Sequence, residues 1–177
     1  MNRRFSRLGR ISRAASLFAA LTPFCSHAGS PSPNMHFSGY LLTPPPCTVS
    51  SQGGRIEVVF EQTLNISKIN GDNYKQTVPY QIDCPGMNRP GVSWKMRLTV
   101  VGTHTDFDNA AVQTSVADLG IKLTLNNTDF TLNIPRDISL DSEQSPPKLE
   151  AAPVKLTGAR LPLQDFKASA LLIAELY

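Results

Sequence analysis

The side chains able to do acid–base work are few. His104, Asp106 and Asp108 fall within one stretch, His-Thr-Asp-Phe-Asp-Asn, and two carboxylates beside an imidazole could pass a proton. The plainer reading of that stretch is a solvated loop, and it is the one adopted. There is no HExxH, no GxSxG, no phosphate-cradling glycine loop and no cysteine cluster. Asn65-Ile66-Ser67 and Asn126-Asn127-Thr128 match the glycosylation acceptor pattern, which matters only in a eukaryotic source. Nothing in the chain argues for an enzyme or a cofactor.

Cysteine usage says more. Of Cys25, Cys47 and Cys84, the first lies in a segment that reads as a secretory leader. Arg3, Arg4, Arg7, Arg10 and Arg13 precede an apolar run, Ala14–Leu21, and Ser26-His27-Ala28 offers the small residues a signal peptidase reads. The run is about half of the ~20 apolar residues that a spanning helix needs, so no membrane span is expected in the mature chain. The leader also explains the charge. The whole chain carries 17 basic and 14 acidic residues, net +3, but without residues 1–28 it carries 12 and 14, net −2. The basic balance that would suit a nucleic-acid partner is thereby removed. Cys47 and Cys84 remain, and two cysteines in an exported chain read as one disulfide. A metal site would need more ligands than His36 and His104 supply.

The elements that position these residues read as short strands. Residues 29–34 are expected to be extended and mobile. Met35, Phe37, Gly39 and Leu41 then share one face of a strand ended by Pro44-Pro45-Pro46. Ile56, Val58 and Phe60 alternate, as do Val78, Tyr80, Ile82 and Cys84, and then Trp94, Met96, Leu98 and Val100. Asn70-Gly71, Pro85-Gly86 and Pro90-Gly91 mark turns. Leu119–Leu125 is a strand, and Asn126-Asn127 leads into another at Phe130–Ile134. Residues 135–153 are polar and proline-rich and read as loop, with a short strand near Val154–Leu156. The terminal run, Phe166–Tyr177, has the Ala and Leu content of a helix, but its position favours a strand. With 14 prolines and no long helical period, the pattern predicts an all-β sandwich in one domain.

Several of these features coincide in order. A secretory leader precedes an alternating segment with one glycine, then Pro-Pro-Cys-Thr-Val, then Tyr80-Gln81-Ile82-Asp83-Cys84, then Leu119–Leu123, then a terminal Phe-x-Ala-x-Ala run closing on tyrosine. Over residues 29–177 the chain resembles a minor pilin of the chaperone–usher pathway, similar to the tip and adaptor subunits of P and type 1 pili. The resemblance implies an incomplete immunoglobulin-like sandwich lacking its final strand, with an N-terminal donor-strand extension. The expected division is a signal peptide at 1–28, the extension at 29–46 and the pilin domain at 47–177. Met35, Phe37, Gly39 and Leu41 would form the donated strand, with glycine where no side chain fits. Phe166, Ala168, Ala170, Leu171, Ile173 and Tyr177 would line the acceptor groove and meet the chaperone, with the Tyr177 carboxylate anchored on basic chaperone residues. The implied partners are a periplasmic pilus chaperone, an outer-membrane usher and neighbouring fimbrial subunits, with export through the periplasm to the surface fimbrium. The competing reading is a single-domain secreted adhesin that binds its ligand through a surface loop.

Overall fold

The computed structural model describes residues 35–52, 54–60, 63–139 and 145–177. The leader expected at 1–28 and the first residues of the extension lie outside them. The chain divides into two units, Met1–Tyr40 and Leu41–Tyr177, and the second carries all the described strands.

Ten described strands run in the order β1 (Thr48–Ser50), β2 (Gln76–Thr77), β3 (Gln81–Asp83), β4 (Met96–Val101), β5 (Ala111–Gln113), β6 (Leu119–Leu125), β7 (Thr128–Asp129), β8 (Arg136–Ile138), β9 (Leu149–Lys155) and β10 (Leu171–Leu176), with a single 3-10 turn at Ile66–Lys68. They form three antiparallel sheets: β1–β3, β10–β4–β8, and β2–β9–β6–β5 with β7 beside β6. The main core lies between the larger two. Leu98, Val100 and Ala174 come from one, Ile121, Leu123, Leu125, Leu149 and Ala151 from the other, and Phe130 and Leu132 close the cluster. The fold is an all-β, immunoglobulin-like sandwich.

Local sequence explains the well-read elements. In β4, Met96, Leu98 and Val100 are buried while their neighbours are not, the period-2 pattern of a sheet with one face in the core. Asn126 and Asn127 take φ of 47° and 62° between Leu125 and Thr128, which pair. Asparagine tolerates that left-handed backbone, so the two residues close a tight hairpin. Gly71 has φ of 87°, and the Asn70 side chain accepts the N–H groups of Asp72 and Asn73 at 3.0 and 2.9 Å.

Four expectations are corrected. Residues 135–153 are not all loop, because they hold β8 and most of β9. β9 is buried on both faces, so no polar alternation advertises it. Its Pro153 is tolerated because β2 pairs only with Glu150 and Ala151, leaving no ladder bond for the missing N–H to make. Phe130–Ile134 is not a strand: Phe130 and Leu132 are buried, but the pairing ends at Asp129. Residues 55–60 keep their alternation, with Ile56, Val58 and Phe60 partly buried against the core, yet they join no ladder among the described residues. Residues 35–41 form no strand and are exposed.

The most crowded glycine is Gly120 in β6. A Cβ there would sit 2.6 Å from Thr105 Cγ2 and 3.0 Å from Ala111 Cβ. Gly120→Val should destabilise the domain by about 1–3 kcal/mol through overpacking, read as a lower midpoint in chemical denaturation at unchanged slope.

Candidate functional site

The His104–Asp108 stretch is a structural cover. Thr105 is fully buried, its hydroxyl donates to Asp108 O and accepts from Asp108 N, both at 3.0 Å, and Asp108 Oδ1 accepts Ala110 N at 2.8 Å. Lys122 Nζ reaches Asp129 Oδ2 at 2.9 Å and Asp108 Oδ2 at 3.8 Å. The hydrogen bond to Asp129 is the main cause that holds the Lys122 amine above its ordinary value. His104 Nδ1 faces Thr105 O at 2.9 Å. These contacts seat the loop over β6 and aim no pair of groups at a common point.

Cys47 and Cys84 are bonded across a separation of 37 residues. They extend the β1–β3 ladder, whose last register pair is Thr48 with Asp83, so the bond staples the start of the domain to the end of β3.

The open feature of the domain is β10. It pairs with β4 along its length, from Leu171–Val101 to Leu176–Met96, and among the described residues no strand pairs with its other edge. Tyr177 and Lys95 exchange both backbone bonds, at 2.9 and 3.0 Å. By the antiparallel alternation, the odd-numbered residues of β10 therefore bond to β4, and Leu172, Ala174 and Leu176 turn their N–H and C=O groups to the open side. The same three side chains face inward: Ala174 and Leu176 are buried and Leu172 packs on the core.

A second extended segment packs on the same core. Ile56, Val58 and Phe60 pack on the same core as Phe166 and Leu172, and the Phe60 and Phe166 ring centroids lie 6.0 Å apart. All five side chains are only partly buried. Two extended segments that lack a ladder on at least one side among the described residues thus contribute partly buried side chains to the same core.

The residues expected to line a groove divide between two faces. Phe166 is on the inner side. Ala168 and Ala170 are exposed, with Ala170 Cβ against Gly102. Leu171, Ile173 and Tyr177 lie on the opposite face from Leu172, Ala174 and Leu176. The parity begun at Phe166, Ala168 and Ala170 continues unbroken to Leu176, and that constant parity was the available signal. Glu175, on the outer face, pairs with Arg97 at 3.0 Å, and the Arg97 guanidinium lies 5.4 Å from the Tyr177 ring centroid. The Tyr177 hydroxyl is held above the ordinary phenol value, chiefly by its hydrogen bond to Asp137. Of the residues expected in a donated strand, Met35, Phe37 and Leu41 are exposed by 66%, 82% and 98%, and a Cβ on Gly39 would meet nothing within 4 Å.

Comparison with known proteins assigns the class. A family model described as Fimbrial protein matches residues 35–175. The chain is 41% identical over 136 residues to the uncharacterized fimbrial-like protein YfcQ of Escherichia coli (strain K12), covering 77% of this chain and 82% of that one. It is 25% identical over 165 residues to the fimbrial-like protein YfcR of the same organism, covering 92% and 91%. Among solved structures, the P pilus rod subunit PapA aligns with a TM-score of 0.55 at 14% identity, over 79% of this chain and 98% of that one. The P pilus adaptor subunit PapF aligns at 0.48 and 19%, over 75% and 96%. The chain belongs to the fimbrial protein family.

Replacing Cys47 and Cys84 together with alanine should lower stability by about 4 kcal/mol, the chain-entropy value for a loop of this length. A shift in the thermal midpoint of roughly 10 °C would register it, and an unchanged midpoint would show that the staple contributes nothing.

Proposed function

We propose that this chain is a low-copy fimbrial subunit, an adaptor or tip-fibre component, that receives a strand along the open edge of β10 and gives residues 35–41 to a neighbour. The observation that carries the reading is that β10 on its outer edge, and Ile56–Phe60, have no ladder partner among the described residues while both pack partly buried side chains on the core. An extended strand laid there would satisfy the N–H and C=O groups of Leu172, Ala174 and Leu176 and cover the partly buried side chains, which is strand addition to a sheet edge. The exposed alternation of Met35, Phe37 and Leu41 has the form of such a strand, with Gly39 as the position that needs no pocket. The absence of internal repeats in the sequence and the short extension support a low-copy place in the fibre.

Burying three side chains of this kind contributes roughly 4.5–9 kcal/mol at about 1.5–3 each, and a whole domain is stable by only about 5–15 kcal/mol. A subunit with its edge uncovered is therefore close to unfolding and open to edge-to-edge aggregation. On this reading a periplasmic chaperone supplies the missing strand during export. An outer-membrane usher is then the place where a neighbouring subunit's extension replaces it, and the finished chain stands in the surface fimbrium.

The exported chain, residues 29–177, should be recovered from a bacterial periplasm mainly as a 1:1 complex with its chaperone and be degraded or aggregated without one. A peptide of residues 33–43 should raise its thermal midpoint by more than roughly 10 °C. A chain that is soluble and monomeric alone, and melts at the same temperature with and without the peptide, would sink the proposal. Ala174→Arg, placing a charged side chain on the inner face of β10, should abolish the peptide-induced rise.

A further inference from the structure

The inner face of β10 does not by itself fix where the strand sits. Leu172, Ala174 and Leu176 oppose Val100, Leu98 and Met96. A slip of one residue would turn these side chains to solvent and is excluded by burial. A slip of two keeps these side chains on the core face and preserves the antiparallel ladder, changing only one inner partner in kind: Leu172 comes opposite Gly102 in one direction, or Leu176 opposite Trp94 in the other. A strand with an open edge has no second neighbour to correct such a slip.

The outer face does discriminate. Arg97 of β4 stands opposite Glu175 of β10 on one side and opposite Asp137 of β8 on the other. Its guanidinium pairs with Glu175 at 3.0 Å and lies under the Tyr177 ring at 5.4 Å, and Asp137 and Tyr177 line one shallow pocket beside it. Slipping β10 by two in one direction sets Glu175 opposite Thr99 and takes the carboxylate out of direct opposition to Arg97, which then faces Tyr177. Slipping it in the other sets Glu175 opposite Lys95, which could pair with it. That second slip is opposed by Tyr177, which moves away from Arg97 and from the pocket it shares with Asp137. The ion pair and the tyrosine thus exclude different errors.

We infer that the outer-face cluster of Arg97, Glu175, Tyr177 and Asp137 sets the register of β10 on β4, and through it the register in which an incoming strand meets the open edge. The first half stands on the domain alone, and the second rests on the strand-acceptance reading above. The cluster acts from the face opposite the core and uses none of the backbone groups of the open edge, so register is held while that edge stays free. Arg97, Glu175, Tyr177 and Asp137 are positioning residues: they touch no incoming strand, but they decide which of its side chains meets which part of the groove.

Crosslinking tests the first half. Thr99→Cys combined with Ile173→Cys reports the native register, since these residues are direct partners. Thr99→Cys combined with Leu171→Cys reports the slip that Tyr177 opposes. In the exported chain the first pair should oxidise and the second should not. With Arg97→Ala and Tyr177→Ala added, the yield of the Leu171 crosslink relative to the Ile173 crosslink should rise at least tenfold. Arg97→Lys, which keeps the cation, should retain the native ratio, and it covers the case in which the double variant fails to fold. An unchanged ratio in the double variant, or a raised ratio in Arg97→Lys equal to that of Arg97→Ala, would overturn the inference. For the second half, peptide 33–43 is compared with the same peptide in which Gly39 and Leu41 exchange places. The native domain should prefer the native peptide, and the Arg97→Ala, Tyr177→Ala domain should lose most of that preference. A merely structural role would weaken both peptides equally and would overturn the second half. A native domain that crosslinks in register but binds neither peptide would overturn the strand-acceptance reading and leave the register assignment standing.

Discussion

The backbone of β10 has hydrogen-bonding capacity on two sides and, among the described residues, a ladder on one. Peptide N–H and C=O groups next to a hydrophobic core must find partners, and a flat edge with free groups recruits any strand that presents itself. Most of the organisation of this domain follows from that constraint. The core side chains of β10 anchor it to β4, the disulfide holds β1 on β3 beside it, and the charged outer face fixes its position without occupying its open side.

The same constraint explains how much could be read from the residues. Alternation at Trp94–Val100 and Leu119–Leu125 identified strands because each has a buried side that its own chain covers, whereas of Val78–Cys84 only Gln81–Asp83 forms a strand. At Ile56–Phe60 the alternation is equally regular, and its inner side chains are indeed turned to the core, but no ladder forms among the described residues. A period-2 pattern records which side chains seek burial and says nothing about whether the backbone partner belongs to the same chain. Residues 35–41 carry the pattern further still, with alternation and neither burial nor ladder. Phe130–Ile134 also lacks a ladder, but its Phe130 and Leu132 are buried in the core; Ile56–Phe60 and residues 35–41 are the two such segments that the proposed function assigns to intermolecular pairing.

Other misses have local causes. Leu149–Lys155 hides because alanines and a proline fill a strand buried on both faces, where no polar residue marks the solvent side. The inner face of β10 was legible only as a parity: Leu171-Leu172 offers an apolar side chain to either face, and the choice is settled by Ala174 and Leu176 opposite Leu98 and Met96. Glu175, out of place for a groove wall, is in place on the outer face beside Arg97. The His104–Asp108 stretch drew attention as chemistry and is packing, because the side chain at its centre is the buried Thr105 that covers Gly120.

Amide hydrogen exchange along β10 measures the central claim most directly. In the isolated domain the N–H groups of Leu171, Ile173 and Glu175 bond to β4 and should be protected, while those of Leu172, Ala174 and Leu176 should exchange quickly; in the presence of peptide 33–43 all six should be slow. Equal protection of the two sets without any added strand would show that the edge is already satisfied within the chain, and the account of a strand-accepting subunit would be wrong.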